Sequence, residues 1–144
     1  MPERTAGTFV TGLPEAKRKS VAQRVEAIGR VAWVEDEEAL HAVTAISGSG
    51  PAYLFAFMEA MQHAASLHGL SPELARELVT QTMKGAALLA SQSPDDAATL
   101  RAQVTSKGGT TEAALAAFAL GDFTGLVKAV VDAASRRSKA LSMQ

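Results

Sequence analysis

Apolar residues recur at helical spacing along most of this 144-residue chain, and short breaks of glycine, proline and serine separate the runs. Val21, Val25 and Ile28 follow Pro14 at intervals of three to four, which predicts a helix closed by Gly29. On either side the pattern is β-like: Thr8-Phe9-Val10-Thr11 between Gly7 and Gly12, and Arg30-Val31-Ala32-Trp33-Val34. Residues 1–35 therefore read as a strand–helix–strand unit. Two such short strands do not make a stable isolated sheet, so the unit reads as the last piece of a larger one.

From Glu37 onward the pattern is helical throughout. A helix is expected from about Glu37 to Ile46, with the acidic run Glu35-Asp36-Glu37-Glu38 at the positive end of its dipole. A metal site is the other reading of that run. Ala52 to Met61 is apolar on nearly every side, a pattern that needs cover all round. In a chain this small, a second subunit is the expected cover, and Gly69 ends the helix. Ser71-Pro72-Glu73 combines a cap, a proline at the first position and an acid in the first turn. It predicts a helix to about Ser91, within which Gly85-Ala86-Ala87 can admit a close neighbour. Ser93-Pro94-Asp95-Asp96 repeats the signal for a short helix to about Gln103. A further helix is expected over Thr110–Leu120, closed by Gly121. Asp122 then caps a last helix with the apolar stripe Phe123, Leu126, Val127, Val130, Val131 and Ala134. Its basic end, Arg136, Arg137 and Lys139, suits a helix C-terminus. The expected fold is mainly α, with residues 36–144 forming one helical domain after the 1–35 remnant.

Composition narrows the chemistry. The formal net charge is −1, which gives no electrostatic case for nucleic acid. Lys17, Arg18, Lys19 and Arg24 read as a solvated helix face, with a phosphate patch as the alternative. There is no cysteine, which excludes a disulfide framework and thiolate chemistry and is compatible with a cytoplasmic setting. No apolar run reaches membrane-spanning length, so no membrane partner is expected. His63 and His68 lie five apart and do not share a helix face as metal ligands would, so no metal is expected. Glu59, inside the apolar 52–61 segment, reads as a buried carboxylate, either partnered and structural or catalytic.

One stretch carries more. Val104-Thr105-Ser106-Lys107-Gly108-Gly109-Thr110-Thr111 sets two glycines among small hydroxyl residues immediately before a helix. Glycine permits close backbone approach, and the first amides of a helix lack intrahelical partners. A carboxylate or phosphate suits such a helix start, and Lys107 adds a positive charge. An ordinary helix cap is the competing reading. Ser47-Gly48-Ser49-Gly50-Pro51 looks like a phosphate loop only superficially, lacking the Walker lysine and the GxGxxG spacing; a bend that lets two helices approach closely fits it better.

The 104–111 stretch resembles the signature of the Δ1-pyrroline-5-carboxylate reductases. A second block, Ala42-Val43-Thr44-Ala45-Ile46-Ser47-Gly48-Ser49-Gly50-Pro51-Ala52-Tyr53, resembles that family's other strong motif. Gln81-Thr82-Met83-Lys84-Gly85-Ala86-Ala87 is similar to a weaker family stretch between them, and the three occur in family order. The resemblance runs from about Gly29 to the C-terminus. It implies the family's C-terminal helical domain, with helices interleaved between two subunits of a homodimer or higher homo-oligomer. It also implies that residues 1–35 are the end of a Rossmann-type dinucleotide-binding domain. The implied activity is NADPH- or NADH-dependent reduction of a small-molecule substrate, 1-pyrroline-5-carboxylate, to L-proline. By resemblance Thr105, Ser106, Gly108, Gly109, Thr110 and Thr111 bind the substrate, and Thr111 supplies a catalytic hydroxyl at the ring nitrogen. Lys107 stands where many members have proline. No GxGxxG follows a strand, so the chain alone is expected to bind no nucleotide and to be inactive. A non-catalytic dimerisation module and a small-anion binding protein are the alternatives.

Overall fold

The computed structural model describes residues 12–26 and 31–144. The described elements are α1 (Glu15–Val25), α2 (Ala39–Val43), a π-helical turn (Thr44–Gly48), α3 (Gly50–Leu67), α4 (Pro72–Gln92), α5 (Ala97–Gln103), α6 (Thr110–Leu120) and α7 (Phe123–Ser142). The mainly helical expectation agrees with this order. The strand–helix–strand remnant does not appear as such among the described residues. Its helix is α1, and of the expected second strand Arg30 lies outside the described residues, while among Val31–Val34 one residue, Val31, makes a β-bridge. Trp33 instead lies under Arg18, whose guanidinium carbon sits 5.6 Å from the ring centroid. The Arg18 Nε also donates to the Leu13 carbonyl at 2.9 Å, so this arginine is held locally rather than free on a solvated face. The expected strand at Thr8–Thr11, together with Ile28 and the Gly29 stop, lies outside the described residues.

The chain forms two compact units, residues 1–51 with 127–144, and residues 52–126. In the first, Ala45 of the π-helical turn is fully buried. The helix expected over 37–46 is α2 continuing into that turn, whose wider winding shows in the Ser49 amide donating to the Thr44 carbonyl at 2.9 Å. Two side-chain contacts tie α2 to the distal part of α7. His41 Nδ1 and Ser138 Oγ are 2.9 Å apart, and Lys139 pairs with Glu38. That lysine holds the Glu38 carboxyl below its usual range, first by hydrogen bonding and then by charge. The acidic run thus ends in an ion pair, and no metal-binding cluster exists among the described residues.

In the second unit Ala75 and Val79 of α4 are buried. Phe57 of α3 meets Phe118 of α6 at 6.3 Å and Phe123 of α7 at 6.5 Å between ring centroids, and Phe118 meets Phe123 at 4.7 Å. This cluster fixes the C-terminal end of α6 against α3. Helix ends follow the sequence signals closely. Ser71 Oγ accepts from the Leu74 amide at 3.2 Å, with Pro72 at the first position of α4. The short helix departs from expectation in its start. Asp96, not Ser93, is the cap of α5, its Oδ1 accepting from the Thr99 amide at 2.8 Å. Ser93 instead accepts from the Asp95 amide, a local bond that spends the serine one step too early. Gly121 ends α6, and Asp122, at φ 48°, accepts from the Gly125 amide at the head of α7.

Little of the apolar surface is covered within the chain. Leu54 and Phe55 of α3 are 54% and 63% exposed, Leu120 is 91% exposed, and Leu126 of α7 is 61% exposed. Glu59, expected to be buried, is exposed. A Cβ added at Gly85 would meet no atom within 4 Å, so no close neighbour of α4 stands there among the described residues. No single helix among the described residues is long and apolar enough to cross a membrane.

Candidate functional site at the start of helix α6

The 104–112 segment closes on itself by short-range bonds. The Thr105 hydroxyl donates to the Arg101 carbonyl at 2.6 Å, which anchors the loop to the end of α5. Gly109 N–H donates to the Ser106 carbonyl at 3.0 Å, forming a turn. Gly108 takes φ 73°, a left-handed conformation that costs glycine nothing and a side chain much. Gly109 is the N-cap of α6, and a Cβ there would lie 2.5 Å from Ser106 Oγ and 3.0 Å from the Ser106 carbonyl oxygen. The turn therefore requires glycine at 108 by its backbone conformation, and fits closely around Gly109.

A glycine cap supplies no side-chain acceptor to the first turn. The amides of Thr110, Thr111 and Glu112 consequently have no hydrogen-bond partner among the described residues. The hydroxyls of Ser106, Thr110 and Thr111 have none either, whereas the Thr105 hydroxyl is committed to Arg101. Converging N–H groups at the positive end of a helix suit an anion, and a hydroxyl can donate to or accept from a neighbouring heteroatom. All six residues singled out in the sequence, Thr105, Ser106, Gly108, Gly109, Thr110 and Thr111, lie in this one segment. Thr111 is half-buried, which limits its rotamer freedom, while Lys107 is exposed.

One participant was not foreseen. Glu112 Oε2 accepts from Gly108 N–H at 2.8 Å. The signal for it was present, because an acid at the third helical position reaches back to amides at the helix start.

The Ala42–Tyr53 block spans the end of α2, the π-helical turn and the head of α3, where Pro51 is the second residue. Ala42, Val43, Ile46 and Ser47 border an open, apolar depression. The Tyr53 hydroxyl is buried without a hydrogen-bond partner among the described residues.

Fold and loop together define a mainly helical domain with three unpartnered amides at the start of one helix. Comparison makes this specific. Residues 37–141 match the family model for pyrroline-5-carboxylate reductase dimerisation, and the chain belongs to that family. It is 46% identical over 129 residues to pyrroline-5-carboxylate reductase of Pseudomonas aeruginosa, covering 90% of this chain and 47% of that protein. The solved pyrroline-5-carboxylate reductase of Coxiella burnetii superposes with a TM-score of 0.90 at 36% identity, over 98% of this chain and 55% of the other. The Plasmodium falciparum pyrroline carboxylate reductase, solved with NADP bound, gives 0.78 at 32% identity, over 90% of this chain and 49% of the other. The chain thus spans about half the length of the curated relatives it matches.

Proposed function

We propose that this chain is the C-terminal, substrate-holding half of an enzyme that reduces 1-pyrroline-5-carboxylate to L-proline with NADPH or NADH in the cytoplasm. The observation that carries the proposal is the start of α6, where three amides and the Thr111 hydroxyl stand without internal partners behind a glycine cap. Membership of the reductase dimerisation family and the names of its relatives support it. On this reading the Thr110 and Thr111 amides bind the substrate carboxylate. The Thr111 hydroxyl hydrogen-bonds the ring nitrogen. Ser106 and the backbone of Gly108 and Gly109 wall the ligand, and Thr105 holds the loop to α5. In the reaction a hydride adds to the imine carbon, the π pair moves to nitrogen, and nitrogen gains a proton. The Thr111 hydroxyl orients the ring and can relay that proton.

The nicotinamide cofactor supplies the hydride, but the described residues do not fit its nucleotide. The glycine-rich segments at Gly48–Gly50 and Gly108–Gly109 each join helical elements, and neither follows a strand as a dinucleotide turn does. Residues 1–35 belong, in this proposal, to the end of the domain that holds it, and 36–144 to the helical domain. The test is a turnover assay of the full-length protein that carries this chain, beside the chain alone. The full-length protein should form proline with NADPH or NADH. The chain alone should bind no NADPH by calorimetry and should be inactive. A full-length protein without turnover overturns the reading.

The same proposal makes the chain a homodimer or a higher homo-oligomer through α3 and the apolar stripe of α7. Its support is the exposure of Leu54, Phe55 and Leu126. Burial contributes about 25 cal/mol per Å² of apolar surface before the costs of association. Sedimentation at micromolar concentration should show an oligomer, and Phe55→Asp should shift it toward monomer. A helical monomer in the parent chain counts against this interface.

A further inference from the structure

We infer that Glu112 is a positioning residue of the α6 loop, and that it sets substrate affinity by holding the Gly108 amide. The inference rests on the proposed substrate site. The two glycine amides of the loop are taken internally, Gly109 by the Ser106 carbonyl at 3.0 Å and Gly108 by Glu112 Oε2 at 2.8 Å. The next three, at Thr110, Thr111 and Glu112, are the ones left to face a ligand. Gly108 sits at φ 73°, in a region where glycine has no side chain to lock it. Its conformation is held by two bonds, the turn bond from the Gly109 amide to the Ser106 carbonyl and the bond of its own amide to one carboxylate oxygen from the first turn of α6. The bond closes a ring from Gly108 through the helix start and back, so the loop and the helix head move as one body. Releasing it frees the peptide planes on either side of Gly108. The substrate must then reorder them on binding, and this cost falls on KM. Once the substrate is bound the loop is ordered in either case, so kcat changes little.

Hydrogen bonding and charge make opposite predictions for conservative variants. Gln keeps an acceptor at the same reach and removes the charge. Asp keeps the charge and is one methylene too short. If Glu112 acts by its hydrogen bond, Gln is near parental and Asp resembles Ala.

The experiment measures steady-state kinetics of the full-length protein with 1-pyrroline-5-carboxylate and NADPH, for Glu112→Ala, Glu112→Gln and Glu112→Asp, with Thr111→Val as the control for the site itself. Glu112→Ala should raise the substrate KM roughly 3- to 10-fold with kcat within about twofold, Glu112→Gln should restore the parental KM, and Glu112→Asp should not. The KM for NADPH should stay constant in all three. The side chain is exposed, so the variants should fold, and a thermal melt of each checks this. An unchanged KM in Glu112→Ala overturns the inference, including when only the melting temperature falls. So does a lowered KM, which would make the carboxylate a competitor of the substrate, and so does the reverse order of Gln and Asp. When Thr111→Val is strongly impaired while the Glu112 variants are parental, only the inference fails. When Thr111→Val is parental too, the site reading fails with it.

Discussion

Two consecutive helices of the second unit begin in opposite ways. Helix α5 starts at Asp96, whose carboxylate turns back onto the Thr99 amide at 2.8 Å and satisfies the end from within. Helix α6 starts at Gly109, which has nothing to turn back, and its first three amides are left without internal partners. A capped start contributes stability and offers little to a ligand. A glycine start forgoes that stability and leaves its donors unpartnered. On the proposed reading, the difference separates a start that serves stability from one that serves binding.

The sharpest way to break this comparison is Thr111→Val in the full-length protein. Valine is nearly isosteric and lacks the hydroxyl. A functional hydroxyl predicts that kcat/KM for the substrate falls roughly 10- to 1000-fold, on the order of 1.5–4 kcal/mol, with little change in thermal stability or in the KM for NADPH. If Thr111 serves structure alone, kcat/KM stays parental and any loss falls on stability. Measuring both on one variant decides which kind of start this is.

Gly109→Ala makes the α6 start more ordinary and has a smaller expected effect. The new Cβ would lie 2.5 Å from Ser106 Oγ and 3.0 Å from the Ser106 carbonyl oxygen, so the serine side chain must rotate away and the turn must give by a few tenths of an ångström. Misplacing binding groups by a full ångström can cost about 100-fold, so a shift of this size should lower kcat/KM about 3- to 10-fold. A parental value in the kinetic assay means that the close fit of Gly109 to Ser106 is not part of binding.

Helix positions were legible along most of the chain because their ends carry local signals. Ser71-Pro72-Glu73 specified the head of α4, and Asp122 and Gly121 specified the junction of α6 with α7. The choice between Ser93 and Asp96 was not legible. Both are good caps, and the Ser93 hydroxyl settles the matter by bonding the Asp95 amide. The second strand expected over Arg30–Val34 shows among the described residues as a single bridge at Val31, and the contact of Trp33 with Arg18 was not legible in the pattern. Glu59 misled for another reason. Apolar neighbours in sequence imply burial only when something covers them, and among the described residues of the single chain Glu59 is exposed. At the α6 loop the glycine start of the helix could be read from the local motif. The unpartnered state of the amides could not, because it depends on where Glu112, Ser106 and Arg101 spend their bonding capacity.

Ser71→Ala tests the capped class from the other side, on α4. Ser71 accepts from the Leu74 amide, and its loss should cost about 1 kcal/mol in urea unfolding at fixed protein concentration. Substrate kinetics of the full-length protein should not move. A fall in kcat/KM with unchanged stability would reverse the roles assigned to the two kinds of helix start.

The smallest expected effect is a pH slope at Asp96. Hydrogen bonds from Thr99, the backbone amide foremost, hold the Asp96 carboxyl below its ordinary value, against a weaker opposing effect of burial. The group is thus a stronger acid in the folded chain than in the unfolded one. Its contribution to stability is complete above the unfolded value, about 3.9, and is lost as the pH falls through the lower folded value. Asn at this position keeps an oxygen acceptor for the Thr99 amide and cannot titrate. The advantage of the parental chain over Asp96→Asn should therefore be constant from about pH 7 to 5 and shrink as the pH drops below 4. Glu38 and Asp132 are also held low, by Lys139 and Lys128, and titrate in the same range. They are present in both proteins and cancel in the difference. Urea midpoints for the pair, followed by circular dichroism between pH 6 and 3, measure it. Parallel curves would mean that the carboxylate charge adds nothing to the cap beyond its oxygen. Helix α5 would then differ from α6 only in having an acceptor at its first position.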